Sequence, residues 1–218
     1  MTYKNIKYCF ISHNSVIKKD YIKISKMMNR LNYQNYTIYY GGKQHTINKH
    51  VTNIDCDDSY CGLPSKINAI CKNISNYCND IDFIVKLDRS VIIKKLINSF
   101  NQLNDYSGYP IKFQNCNWHF NRCNPDHKFY NKKFTPSSHV KYYCSGGFGY
   151  ILSKKCIEYI AQDDTYNNHV YEDFYVADVL KKNSIEAHYF NITHFLIDPI
   201  FDKDLLFDKS FPGIIHYN

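Results

Sequence analysis

The sequence predicts an α/β fold with a mostly parallel sheet, and three observations carry that expectation. Short runs rich in β-branched and aromatic residues alternate with longer segments whose apolar residues recur at helical spacing, the order that builds βα units. The 218 residues are 44% apolar with only 8 Gly and 6 Pro, which suits one globular domain with a real core and excludes a disordered or fibrous chain. The run Phe83-Ile84-Val85-Lys86-Leu87 ends abruptly in Asp88-Arg89-Ser90. In an open α/β sheet a buried strand that stops at a carboxylate delivers it to the ligand crevice beyond the strand's carboxyl end.

Residues 7–12 read as the first buried strand, and Ile17, Tyr21, Ile24, Met28 and Leu31 then recur on one helical face. Residues 36–40 give a second, aromatic and β-branched strand stopped by Gly41-Gly42, and a polar connection follows. Pro64 near the front, with Ile67, Ile70, Ile74 and Tyr77 on one face, marks a helix over 63–78. Residues 83–87 form the central strand, and Ile93, Leu96, Ile97 and Phe100 predict a helix after it. The segment 104–140 is rich in Asn, aromatic residues, Pro and Lys without a sustained period. It is expected to form irregular hairpins beside the cleft, since long connections in compact domains serve sites. Strands at 142–144 and 150–152 flank a glycine turn, and Ser153 is placed to cap a helix through Ile157 and Ile160. A helix over 172–182 and a strand over 187–190 complete a single domain spanning 1–218.

The formal charge of +7 fits an anionic partner such as a nucleotide diphosphate. Lys and Arg are scattered rather than striped and no nucleic-acid motif occurs, which argues against nucleic acid as that partner. No run of about 18 apolar residues occurs and the first residues lack the apolar centre of a signal peptide, so the expectation is a soluble, cytoplasmic chain without membrane insertion. Nine cysteines, an odd number without regular spacing, then read as reduced thiols. Cys116, His119, Cys123 and His127 are spaced to hold a zinc in a loop, or Cys116 and Cys123 to pair in an oxidising compartment.

Four motifs carry the chemistry. They are Asp58-Ser59-Tyr60 with Leu63 and Lys66; Lys86-Leu87-Asp88-Arg89-Ser90; Gly146-Gly147-Phe148-Gly149-Tyr150-Ile151-Leu152-Ser153; and Glu172-Asp173-Phe174-Tyr175-Val176. Each has a plain structural account. Asp58 can be a turn acid, Lys66 and Lys86 can pair with Asp58 and Asp88, the glycines can make a tight turn, and Glu172 with Asp173 can complement a helix N-terminus. The functional account gives the glycines a use in letting backbone N–H groups approach a sugar or phosphate at φ > 0. His13, after the first strand in Ser12-His13-Asn14-Ser15, lies where a nucleotide could rest, although a helix cap is the plainer reading of that quartet. Trp118 could stack on a sugar face or anchor a core.

In this order and spacing the four motifs resemble the β-1,3-glycosyltransferase group that includes galactosyltransferases, N-acetylglucosaminyltransferases and the fringe and core-1 enzymes, over residues 55–180. The resemblance implies a single-domain, Rossmann-like GT-A fold. It implies an inverting transfer of galactose or N-acetylglucosamine from a UDP-sugar to a hydroxyl of a glycan or glycoprotein, with a β-1,3 linkage. By the same resemblance Asp173 is the catalytic base, and Asp58, Lys66, Lys86, Asp88, Arg89, Gly146 and Gly147 bind the donor. Asp88 and His216 would hold Mn2+ or Mg2+, and Trp118 and Glu172 would meet the acceptor.

The sequence departs from that pattern at Ser90, where the family keeps the carboxylate that usually holds the divalent ion, and at Arg89, which replaces the acid between. A hydroxyl is a poor substitute for a charged oxygen on a hard cation, whereas a guanidinium forks onto phosphate oxygens. The expectation is an active enzyme with weakened or absent metal dependence. The alternative is a catalytically inactive glycan- or nucleotide-binding module of the same fold.

Overall fold

The computed structural model describes residues 5–11, 13, 17–42, 49–97, 103–112, 122–132, 139–189 and 196–197. In chain order its main elements are β1 (Ile6–Ile11), α1 (Ile17–Arg30), β2 (Tyr36–Gly41), β3 (Val51–Ile54), α2 (Leu63–Tyr77), β4 (Phe83–Asp88), β5 (Ile92–Ile93), β6 (Tyr106–Gly108), β7 (Pro110–Lys112), β8 (Tyr142–Cys144), β9 (Tyr150–Ser153), α3 (Lys154–Gln162), α4 (Glu172–Lys182), β10 (His188–Tyr189) and β11 (Leu196–Ile197). Seven strands form the central sheet in the order β10-β6-β9-β4-β1-β2-β3. β1 runs parallel to β2 and β4, and β3 is parallel to β2, while β9 is antiparallel to both β4 and β6.

Alternation along β1 divides the core. Cys9 and Ile11 face a cluster built with Ile67, Ile70 and Ile74 of α2, Ile157 and Ile160 of α3, and Phe174 and Val176 of α4. Tyr8 and Phe10 face the opposite cluster, with Ile24, Met27 and Met28 of α1. A sheet covered on both faces needs strands apolar on both sides, and β1 and β4 have them. Local sequence starts two of the helices. Proline lies in the first turn of α2, and the Ser153 hydroxyl accepts from the Cys156 N–H as the N-cap of α3.

The chain leaves β1 toward β2 and β3, then returns past β1 to form β4. Strand order therefore reverses between β1 and β4, and the crevice beyond their carboxyl ends is where such sheets bind ligands. Ile11 and Asp88 are in register there.

The structure departs from the sequence expectation in four places. Residues 51–54 are an edge strand rather than a polar connection, with Val51 and Ile54 buried. Residues 92–93 pair with 196–197 instead of opening a helix, and the Tyr8 hydroxyl accepts the Ile97 N–H at 2.7 Å. Ile93 and Ile97 are buried core residues, and Phe100, the last residue of the expected helical face, lies outside the described residues. β6, within the segment expected to be irregular, belongs to the central sheet. Tyr77, expected on the buried face of α2, is 79% exposed at the helix end. Among the described residues no helix is long and apolar enough to cross a membrane.

Candidate active site

Three chain segments converge on the crevice. The first is the turn after β4. Asp88 Oδ1 accepts the Ser90 N–H at 2.9 Å and the Ser90 hydroxyl at 3.0 Å, so the serine that replaces an acid closes a tight turn around the remaining one. α1 fastens this turn from outside. Lys23 Nζ donates to the Arg89 and Ser90 carbonyls at 3.0 and 3.2 Å, and Arg89 lies 3.4 Å from the Asp20 carboxylate.

The second segment follows β3. Asp58 Oδ1 accepts the Gly41 N–H at 3.1 Å from the end of β2 and also pairs with Lys66 of α2. Lys66 is 0% exposed, and burial pushes its ammonium below the usual lysine range while Asp58 pulls it back up. Asp58 thus ties a strand end to a helix. Ser59 caps the one-turn helix Tyr60–Gly62 by accepting from the Gly62 N–H, which presents Tyr60 to the crevice.

The third is the N-terminus of α4 against the glycine turn between β8 and β9. Lys86 Nζ, projecting from β4, donates to Glu172 Oε2 and to the Gly146 carbonyl, each at 2.9 Å, and Tyr150 donates its phenolic proton to Glu172 Oε1. Lys86 and Glu172 are 3% and 6% exposed. Asp173 is half-buried beside them. Its Oδ2 accepts the Gly146 N–H at 3.0 Å and its Oδ1 the Phe174 N–H at 2.9 Å. Burial and then the neighbouring Glu172 charge push the Asp173 carboxyl up to about 6, against the pull of those two N–H groups and Lys86. A Cβ on Gly146 would lie 2.8 Å from Glu172 Oε2 and 3.3 Å from Asp173 Oδ2, so glycine is required for this approach. Gly149, at φ +96°, brings its backbone against the Lys86 carbonyl, where a Cβ would come to 2.4 Å.

Tyr60 joins the segments. The His13 ring meets it edge-on with centroids 5.2 Å apart, and the Arg122 guanidinium lies over it at 5.3 Å. Burial and then the Asp173 charge raise the Tyr60 phenol above its ordinary range. Burial holds His13 below the ordinary histidine range, and Asp88 is the largest opposing influence. His13 and Tyr60, in contact with each other, therefore lie within electrostatic reach of the strand-end and the helix-end aspartate respectively. A disulfide joins Cys61, next to Tyr60, to Cys123, next to Arg122.

Several expectations are corrected by this geometry. Lys66 pairs with Asp58, one of the two accounts its sequence position allowed, and the partner of Lys86 is Glu172 rather than Asp88. Lys86 and Tyr150 engage the two oxygens of the Glu172 carboxylate. Gly146 serves the acidic pair by close approach, and positive φ belongs to Gly149 in this turn. Cys123 is neither a reduced thiol nor paired with Cys116, and a sulfur held in a disulfide is not a thiolate ligand for zinc. Trp118, His216, Cys116, His119, Ser12, Asn14 and Ser15 lie outside the described residues. Arg122, Tyr150 and Cys61 carry contacts that sequence reasoning missed. Tyr150 stood within a quoted motif, while nothing local marks Cys61 or Arg122.

Of the two residues that the resemblance names for a divalent cation, His216 lies outside the described residues and Asp88 stands at the end of β4. Asp88 is followed by Arg89, and its Oδ1 is engaged by the Ser90 N–H and hydroxyl. Among the described residues the grouped ligand atoms within reach of one ion are those of Cys61, Cys123 and His127, two of which form the disulfide.

A mostly parallel seven-stranded α/β sheet flanked by helices is consistent with a GT-A-like glycosyltransferase fold. The galactosyltransferase family model matches residues 47–191, and the chain belongs to that family. No curated protein matches it.

Proposed function

We propose that the chain transfers a galactose- or N-acetylglucosamine-type sugar from a UDP-sugar to a hydroxyl of a glycan or glycoprotein, with inversion and a β-1,3 linkage, and without strong dependence on Mn2+ or Mg2+. The observation that carries this reading is Asp173, a half-buried carboxylate held up to about 6 at the edge of the switch-point crevice. A base with a pKa near the working pH combines the ionised form with proton affinity. In the proposed reaction Asp173 takes the acceptor hydroxyl proton as the oxygen bonds to the sugar's anomeric carbon. The bond from that carbon to the diphosphate breaks on the opposite face, and its electron pair leaves on the phosphate oxygen.

Glu172 acts at one remove: its fixed charge raises Asp173, and the Lys86 and Tyr150 bonds keep it in place. Asp88, Arg89, Gly147 and His13 are assigned to the donor side. The test is a screen of nucleotide sugars for transfer and hydrolysis, with added manganese and with chelator. Transfer that survives chelator and falls by about 100-fold or more in Asp173→Asn, with donor binding retained, is expected. A parent chain that binds UDP but turns over no sugar would instead identify a binding module.

A further inference from the structure

The disulfide brings a third side chain with it. Cys61 lies in the one-turn helix Tyr60–Gly62, and Cys123, at a sequence separation of 62, precedes a tight turn that carries His127. That turn is closed by its own backbone. The His127 N–H donates to the Asn124 carbonyl and the His127 carbonyl accepts the Tyr130 N–H, each at 2.8 Å, while His127 Nδ1 accepts the Phe129 N–H at 3.3 Å. An imidazole nitrogen and the two sulfurs consequently all lie within 4.8 Å of one another, with both cysteines buried and His127 half-buried. It is the one such group among the described residues.

Two thiolates and an imidazole are a zinc-type donor set, and the short step from Cys123 to His127 falls within the spacings of zinc loops. Ligand atoms on one tetrahedral zinc stand about 3.5–3.8 Å apart, so side-chain shifts of about 1–2 Å would assemble the site once the sulfurs are unbonded. We propose that Cys61, Cys123 and His127 form an exchangeable cross-link, a disulfide in the oxidised chain and a zinc site in the reduced one. A dithiol reductant breaks the S–S bond, gives the two sulfurs two electrons and two protons, and leaves as its own disulfide. Zinc then releases the two thiol protons to solvent and binds two thiolates and the neutral imidazole, with water in the open fourth position. Either form joins the turn that bears Tyr60 to the turn that bears His127, so the tie beside the crevice outlasts a change of redox conditions. The site stands independently of sugar transfer.

The experiment titrates the reduced and the oxidised full chain with Zn2+ against a chromophoric chelator, in the parent, Cys61→Ser, His127→Ala and Cys116→Ser. The reduced parent is expected to bind one equivalent that the oxidised parent does not. Cys61→Ser should abolish this binding and His127→Ala weaken it by roughly ten- to a hundredfold or more, whereas Cys116→Ser should keep it. Co2+ in place of zinc gives a readout in the unmutated chain: thiolate-to-cobalt charge-transfer absorption in the reduced parent that vanishes on reoxidation. A reduced parent that binds no zinc and shows no such absorption overturns the inference. Binding by His127→Ala equal to the parent's, or binding that depends on Cys116 and not on Cys61, overturns it as well, and the proposed function stands in each case.

Discussion

The two acidic ends of the crevice are built on opposite plans. At the end of β4, Asp88 is bound by its own turn, and the neighbouring cation reaches outward to α1 in a part-exposed pair. At the start of α4, two consecutive carboxylates lie side by side, Glu172 buried and Asp173 half-buried, and the protein neutralises the first with Lys86 and Tyr150 while meeting the second with two backbone N–H groups. The difference shows how one residue type is given two chemistries. An enclosed, satisfied Glu172 acts as a fixed charge that makes its neighbour a stronger base, and a solvated turn keeps Asp88 as a polar group for a ligand.

The comparison breaks most severely at Lys86. Lys86→Met leaves Glu172 buried without its cation and is expected to destabilise the fold by about 3–5 kcal/mol, read in denaturant melts. Adding Glu172→Gln should restore much of that stability, because the buried charge goes with its partner. Gly146→Ala sharpens the comparison through function. Its Cβ enters the space of both acids, and transfer is expected to fall by roughly tenfold or more through displacement of Asp173, with UDP binding kept.

The pH dependence of stability separates the ends next. Asp173 holds its proton up to about 6 in the folded chain against 3.8 ordinarily. Between those values the folded state binds the extra proton, so this group's contribution to stability is lost as pH rises through the window. The stability difference between the parent and Asp173→Asn should therefore move against the parent from pH 4 to 6 and level off above. The smallest effect belongs to the outward pair: Arg89→Gln should change stability by no more than about 1 kcal/mol, as exposed ion pairs do.

Elements whose periodicity is intrinsic were legible in the sequence: β1, α1, β2, α2, β4 and the helices that start at Ser153 and Glu172. β3, β5 and β6 were not, because two to four residues carry no period and become strands only through partners distant in the chain, as Ile92–Ile93 does with Leu196–Ile197. The motif residues of the site were readable one by one, but their pairing was not. The Lys66–Asp58 pair follows from spacing on one local unit, whereas Lys86 reaches Glu172 across 86 positions of sequence. The Cys61–Cys123 link has no local signature, so Arg122 stayed invisible until the backbone was folded.

The claim that a paired glutamate tunes an adjacent base is tested most directly by the pH profile of kcat/KM for sugar transfer, which reports groups of the free enzyme. The parent should lose activity below about 6, and Glu172→Gln should shift that limb to lower pH because the repelling charge is gone. A profile flat through this region, or a limb that stays in place in Glu172→Gln, would contradict the account.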